Sequence, residues 1–560
     1  MKIIPIPKIL EISEESKASA ALFNSINFVH SFDFEGEKYS IDIEKDGIKV
    51  VYGSLEGKFR AETTLKQINA QSENGFVPCL HIVDYPSIKN RGVMLDISRG
   101  KLPELDTLKK YVDLFADLKY NQLQLYMESF VYEYKNFKKY CTEGYYLTRK
   151  EIEELTKYCK DRFIELVPNQ NGFGHMHKWT AQEELKHLGI VNEDGKVSGT
   201  LNPLDEGSLE LMDKIYDGFM DAFDSDKINI GLDEPFSLGK GQTKEACEKY
   251  GVGKVYTDYL KKLCHLISSK YNKTPMFWDD IVFKHPEQLE NVPASAIVMD
   301  WGYESENHFD RNCRRLQENG LRYYVCPGTS AWASITGRFN NAVCNIIDAA
   351  ECGTYYGAEG FLLTEWGDYG NVQFPAMTYF AFVLGGAASW NSLNHDCETA
   401  YLERRELIDD CKWYLDRVVF KSENGSLADI ICRMGNYYLL ENRLLFNSTE
   451  LIRYVGNRKD ITEAERKGFE RVYKYMKELK DELDTVSAAD EHKEEAILNC
   501  EMVILFSKIL SGDIEDKDGI AQKAQEIENE YIKLWNKKNH KFGYDIFLRI
   551  MKRFIDAKVN

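Results

Sequence analysis

Asp233 and Glu234 stand side by side in KINIGLDEPFSLG (residues 227–239), after an apolar run that closes on Gly231 and Leu232 and directly before Pro235. An apolar run stopped by Gly and Pro reads as a buried strand that delivers its end to a loop. Two adjacent carboxylates are costly to desolvate without partners, so at such a position they point to acid/base chemistry. The same residues also suit a helix N-terminus, where Asp and Glu are common and Pro sits in the first turn, and the local sequence does not choose between the two.

The surrounding chain supplies the elements that would position them. Between residues 91 and 375 a short apolar run, a loop and a helix-like polar stretch recur. The runs are GVMLDI (92–97), YNQLQLYM (120–127), FIELVPN (163–169), KINIGL (227–232), TPMFWDD (274–280), AIVMDW (296–301), LRYYVCPG (321–328) and GFLLTEW (360–366). Each is apolar nearly throughout, as parallel strands covered on both faces are. Eight of them alternating with helices predict an α/β fold built on a (β/α)8 TIM barrel, whose sites lie at the C-terminal ends of the strands.

That rule gathers Asp96, Arg99, Glu128, Asn169, Asn171, His175, Asp233, Glu234, Trp278, Asp279, Asp280, Trp301, Tyr303, Trp332, Trp366 and Asp368 at one end of the barrel, with Trp179 slightly further along its loop. Carboxylates among flat indole faces suit a sugar ring, whose C–H faces pack on aromatics while its hydroxyls need donors and acceptors. His175 and His177 form an HxH pair. A barrel metallohydrolase carries that pair after its first strand and adds His and Lys ligands later, and no His recurs here at strand ends 4 to 8, so no metal is expected. Asp279 and Asp280 read as a loop and helix-cap pair.

Three domains are expected: a small α+β domain over 1–85, the barrel over 86–390 and an α-helical domain over 391–560. The first rests on alternating stretches such as YSIDIEKDGIKVVYG, turning at Asp46 and Gly47, followed by the helical KFRAETTLKQI. The last has no proline beyond Pro375 and carries apolar positions at helical spacing, among them Leu427, Ile431, Met434 and Tyr438. A net charge of −19 argues against nucleic-acid and anionic-membrane partners. The N-terminus, MKIIPIPKILEISEES, has prolines and acidic residues where a signal peptide has its apolar core. The thirteen Cys show neither CxxC nor zinc-ligand spacing. A cytoplasmic protein with reduced thiols is expected.

Four segments, in order, carry a resemblance: IKNRGVMLDISRGKLP, GYYLTRKEIEELTKYCKDRFIELVPNQNGFGH, GLDEP and TEWGD. They resemble glycoside hydrolase family 20, the β-N-acetylhexosaminidases, and YSIDIEKDGIKVVYGSLEGKFRAETTLKQI resembles the small domain that precedes the barrel there. The resemblance implies an exo-acting enzyme that hydrolyses terminal β-linked GlcNAc, with GalNAc open as a second substrate. Retention comes from substrate-assisted catalysis. Glu234 would protonate the leaving oxygen and then activate water. Asp233 would hold the 2-acetamido N–H while the substrate's own carbonyl oxygen attacks.

Further roles are implied for other residues. Arg91 and Asp368 would bind the sugar's far hydroxyls; Trp301, Trp332 and Trp366 would wall the acetamido pocket, with Trp278 in a second layer. His175 would contact substrate, supported by Glu128 and Asn171, and Tyr303, Tyr355 and Tyr369 are candidates to donate to the acetamido oxygen. The chain departs from the family at Asn229 and Leu232, where His and Gly are usual, and at Asn169, Asn171 and Phe173, where acidic residues and Pro are usual. These departures resemble a compact cytoplasmic branch, in which the C-terminal helices pack beside the barrel, form a homodimer interface or complete the pocket. No cofactor is implied, and the partner is a small oligosaccharide or glycoside. Two alternatives stay open: a catalytically silent sugar-binding barrel, and a retaining glycosidase with a protein nucleophile.

Overall fold

The computed structural model describes residues 1–392, 400–456 and 460–559. The chain opens with strands β1 (Ile9–Ser19), β2 (Asn27–His30), β3 (Tyr39–Glu44), β4 (Gly47–Tyr52) and β5 (Phe76–Asp84), which form one sheet in the order β1-β5-β3-β4-β2. The β3–β4 hairpin turns on two residues, with Glu44 paired to Gly47. The helix Leu55–Asn69, capped by the Ser54 hydroxyl, lays Ala61, Leu65 and Ile68 on the sheet residues Tyr39, Ile41 and Val50.

Strands β6 (Asn90–Asp96), β7 (Gln122–Met127), β8 (Glu165–Gln170), β11 (Lys227–Asn229), β12 (Thr274–Trp278), β13 (Ile297–Trp301), β14 (Arg322–Cys326) and β15 (Gly360–Glu365) close a parallel barrel. A short antiparallel hairpin, β9 (Gly189–Val191) and β10 (Val197–Leu201), is inserted between β8 and β11. β15 pairs with β6 and β8 with β11, so the ring is complete. All eight apolar runs become its strands. Its interior is filled by Met94, Tyr126, Val167, Met276, Met299 and Leu362, as a packed barrel requires. A buried amide layer sits among them: Asn169 and Asn229 both donate to Gln124 Oε1, at 2.9 and 3.1 Å. Asn229, which stands where family 20 usually has His, is therefore part of the barrel's filling.

Beyond the barrel the chain is helical, with long helices at Glu463–Thr485, Asp490–Ser511, Lys517–Trp535 and Tyr544–Val559. The first is opened by a capping box between Thr462 and Glu465. Leu427, Ile431, Met434 and Tyr438 are all buried, as their spacing predicts. Backbone bonds from Phe339 to Gly435 (2.8 Å), and side-chain bonds from Asn499 to the Ile335 carbonyl (2.8 Å) and from the Ala376 N–H to Glu495 (3.0 Å), fix these helices to the barrel loops. Among the described residues, no helix is long and apolar enough to cross a membrane.

Candidate active site

β11 ends early, at Asn229, because the next residues leave the extended region: Gly231 (φ 69°), Leu232 (φ 76°) and Glu234 (φ 46°) all have left-handed backbones. For Leu and Glu that conformation is costly and persists only where the surroundings over-determine it, a pattern that clusters at functional sites. Here the surroundings are polar anchors. Asn229 Oδ1 accepts from the Gly231 N–H (2.9 Å), and Asn171 Oδ1 accepts from the Leu232 and Phe173 N–H groups (3.3 Å each). Leu232 holds a conformation that the usual Gly would adopt freely. Gly174 is required for another reason: a Cβ there would overlap the Asp233 carbonyl oxygen.

The result is a tight carboxylate pair. Asn171 Nδ2 donates to Asp233 Oδ1 at 2.8 Å, and His175 Nε2 lies 3.2 Å from Asp233 Oδ2 and 3.4 Å from Glu234 Oε2. The Asp233 side chain is 11% exposed and that of Glu234 34%, so one acid faces inward and the other outward. Burial works against charge on His175, but Asp233 outweighs it and pushes the imidazole up to about 10. Burial likewise raises Asp233, and the neighbouring His175 more than reverses this, leaving its carboxyl below the ordinary range. At neutral pH the pair is imidazolium and carboxylate.

His175, Asp233 and Glu234 are also close enough to share a metal ion, their donor atoms lying within 4.8 Å of one another. His175 Nε2 faces both carboxylates directly, an arrangement that a shared proton suits. His177 is turned away, its ring packed where a Cβ on Gly199 would fall, and the HxH residues do not converge.

An aromatic wall faces the carboxylates. Trp278, Trp301, Tyr303 and Trp366 line a cavity of about 160 Å³ together with Arg99, His175, Asp233, Glu234 and Asp368. Trp301 stacks on Tyr303 (5.1 Å between centroids), and Trp366 Nε1 donates to the Tyr303 hydroxyl at 2.8 Å. The indole N–H groups of Trp278 and Trp301 have no partner within the described residues.

Two expectations exchange places. Trp278, expected in a second layer, lines the cavity, whereas Trp332, expected in its wall, is 1% exposed and stands edge-on behind Tyr303 at 5.1 Å. Trp179 belongs to the core, between Phe130, Tyr134 and Phe137. Of the three tyrosine candidates, Tyr303 lines the cavity; Tyr355 is 65% exposed on the outer helix Phe339–Tyr356, and Tyr369 lies in the loop after β15.

Arg91 is not in the site. It opens β6 at the opposite end of the barrel, fully buried, where its guanidinium grips Glu37 (2.6 and 2.8 Å) and the carbonyls of Ile88, Lys89 and Lys119. The residue that reaches the cavity is Arg99, just past the far end of the same strand. Arg99 donates to Asp96 (3.0 Å) and Glu128 (2.9 Å) and lies 3.7 Å from Asp368. Glu128 also accepts from the Tyr126 hydroxyl (2.8 Å) and stands 4.0 Å from His175 Nδ1, so it does flank the histidine. The strand-end rule already favoured Arg99 over Arg91. Phe446 and Asn447, from the C-terminal helical region, complete the cavity's lining, and no sequence signal pointed to them.

With this geometry in view, residues 89–341 match the model of glycosyl hydrolase family 20, catalytic domain. The barrel strands from β6 to β14 therefore resemble that family's catalytic domain. The family 20 match ends within the helix that follows β14, so β15 with Trp366 and Asp368, and the C-terminal helices, lie beyond it. Among curated relatives, the β-hexosaminidase subunit beta of Entamoeba histolytica is 25% identical over 298 residues, covering 47% of this chain and 50% of its own. Hexosaminidase D of Bos taurus is 27% identical over 228 residues, covering 39% and 64%, and the β-hexosaminidase of Akkermansia muciniphila is 29% identical over 193 residues, covering 31% and 38%. The chain thus spans less than two thirds of each of these relatives. A chitobiase structure from Flavobacterium johnsoniae superposes over 99% of both chains with a TM-score of 0.62 at 16% identity, a likeness of fold that includes the helical C-terminal region.

Proposed function

We propose that this chain is an exo-acting β-N-acetylhexosaminidase that removes terminal β-linked GlcNAc, with GalNAc as a further substrate, by substrate-assisted retaining catalysis. The observation that carries the reading is the division of labour between neighbours: Asp233 is buried, anionic and held by Asn171 and His175, while Glu234 faces the open cavity. An inward anion suits the acetamido N–H, whose positive charge grows as the carbonyl oxygen attacks the anomeric carbon. An outward acid suits the leaving oxygen, and then the water that opens the cyclised intermediate. Tyr303, whose hydroxyl accepts from Trp366 and so keeps its own proton to give, is assigned to the acetamido oxygen. Trp278, Trp301 and Trp366 wall that group, and Arg99 with Asp368 takes the hydroxyls assigned above to Arg91. The names carried by the curated relatives support the same substrate class.

The described cysteines are all free thiols, which supports a reducing, cytoplasmic setting, and the net charge of −19 supports a neutral glycan over nucleic acid. Release of p-nitrophenol from the β-GlcNAc, β-GalNAc and β-glucoside derivatives tests the reading. The acetamido sugars are expected to react and the glucoside not, because it carries no internal nucleophile. Equal turnover of the glucoside would overturn the mechanism.

A further inference from the structure

The turn between Glu441 and Glu450 belongs to the C-terminal helices by sequence and to the cavity by position. It is pinned at both ends. The Glu441 carboxylate accepts from the Glu450 and Leu451 N–H groups (2.7 and 2.8 Å), and Glu450 accepts in turn from those of Asn442 and Arg443 (3.0 and 3.2 Å). Its tip is clamped to the loops after β13 and β14. Glu304, forked by Arg338 at 2.9 and 3.0 Å, accepts from the Asn447 N–H at 2.6 Å, and the Thr449 N–H donates to the Ala333 carbonyl at 3.2 Å.

A backbone held this firmly presents two side chains with unused capacity. Phe446 is 74% exposed although it lines the cavity, and the Asn447 carboxamide oxygen is buried without a hydrogen-bond partner while its backbone sits in the left-handed region (φ 49°). A lone exposed aromatic needs no explanation, but one beside an unpaired buried acceptor at the rim of a sugar-sized cavity does. The inner walls already account for a single sugar. Glu234, the more exposed acid, lines the same cavity as Phe446 and Asn447, and Phe446, at 74% exposed, is open to solvent there.

We propose that Phe446 and Asn447 form the leaving-group subsite. The ring would pack on the apolar C–H face of a second β-linked sugar, and the carboxamide would accept from one of its hydroxyls. The inference rests on the hexosaminidase reading above and adds to it that the C-terminal region selects what the terminal sugar is attached to. Glu304 and Arg338 are positioning residues for this turn.

The test pairs a two-sugar substrate with a ligand that fills only the terminal-sugar pocket. Phe446→Ala and Asn447→Ala are each expected to lower kcat/KM for N,N′-diacetylchitobiose by about tenfold, the scale of one aromatic contact or one hydrogen bond. Inhibition constants for a GlcNAc thiazoline should stay within about twofold of wild type, since the thiazoline carries no leaving group, and Phe446→Trp should retain the disaccharide activity. An unchanged kcat/KM on chitobiose overturns the subsite, and a parallel rise in the thiazoline constants overturns it by moving the pair into the terminal-sugar pocket. If wild type cleaves neither chitobiose nor p-nitrophenyl β-GlcNAc, the hexosaminidase reading itself fails, and that outcome is distinct from both.

Discussion

One strand, β6, carries two arginines to two different fates. Arg91, at its start, spends its guanidinium on Glu37 and three backbone carbonyls and lies 4.8 Å over the Trp390 ring, sealing the N-terminal sheet to the underside of the barrel. Arg60, also fully buried, adds a second cation to the same Glu37 at 2.9 Å. Arg99, just beyond its end, is 19% exposed, bonds two carboxylates and stands within reach of a third. Saturation marks a structural ion cluster, and partial satisfaction at a cavity wall marks one that has a ligand to meet. Residue type is the same in both; what differs is which end of a barrel strand the residue occupies.

The largest effects should come at the mouth. Glu234→Gln removes the proton donor, and general acid/base catalysis is typically worth about 10²- to 10⁴-fold, so natural substrates should lose that much while an activated aryl glycoside loses far less. Asp233→Asn should slow both kinds, because the charge it stabilises develops whatever the leaving group. It should also weaken thiazoline binding, as a mimic of the cyclised state depends most on the groups that stabilise it. Identical losses for both variants on every substrate, with thiazoline binding unchanged, would sink the division of roles.

The arginine comparison can be broken directly. Arg91→Ala leaves Glu37 buried with a partner missing, a change that costs about 3–5 kcal/mol, so urea unfolding should move strongly while the folded fraction keeps its kcat. Arg99→Ala should do the reverse. Its stability loss should be smaller, and kcat/KM should fall by about ten- to a hundredfold, the worth of a charge-assisted hydrogen bond to the substrate. Two variants that destabilise equally and leave kcat/KM alone would erase the distinction.

The contrast also shows what the sequence carried. Period and punctuation sufficed for eight strands, and the strand-end rule for Asp233, Glu234, His175, Trp278, Trp301, Tyr303, Trp366 and Asp368, all of which face one cavity. The family motif points to Arg91, but that residue opens its run at the far end of the barrel, where about 17 Å of strand separate it from Asp96. A strand-end position does not say which aromatic stands in front, and here Tyr303 stands in front of Trp332. Phe446 and Asn447 were invisible for a topological reason. The turn that bears them lies far from the barrel strands in sequence, and the Glu304–Arg338 clamp with the Thr449–Ala333 bond brings it to the cavity.

A third cluster sharpens the comparison, since it is buried like Arg91 yet has only the more distant Arg311 as a cation acting on it. Asp279 and Asp300, at the ends of β12 and β13 behind the tryptophan wall, hydrogen-bond to each other, and Asn312 Nδ2 donates to Asp300 at 2.9 Å. Burial raises Asp300 to about 7, and burial together with Asp300 raises Asp279 well above the carboxylate range, so the pair shares a proton where the arginine clusters share a charge. For a carboxyl whose folded pKa lies above its unfolded value of about 3.9, the folded state is favoured at low pH and loses stability as pH rises toward and through the folded pKa. Wild type should therefore lose stability between about pH 4 and pH 7, with a limiting slope of about 1.4 kcal/mol per pH unit for each proton released. Asp300→Asn keeps an acceptor for Asn312 and gives Asp279 a permanent donor, so it should flatten that limb. Urea midpoints measured at pH 5 and pH 7.5 decide the matter: curves for variant and wild type that run parallel would mean the two carboxyls do not share a proton.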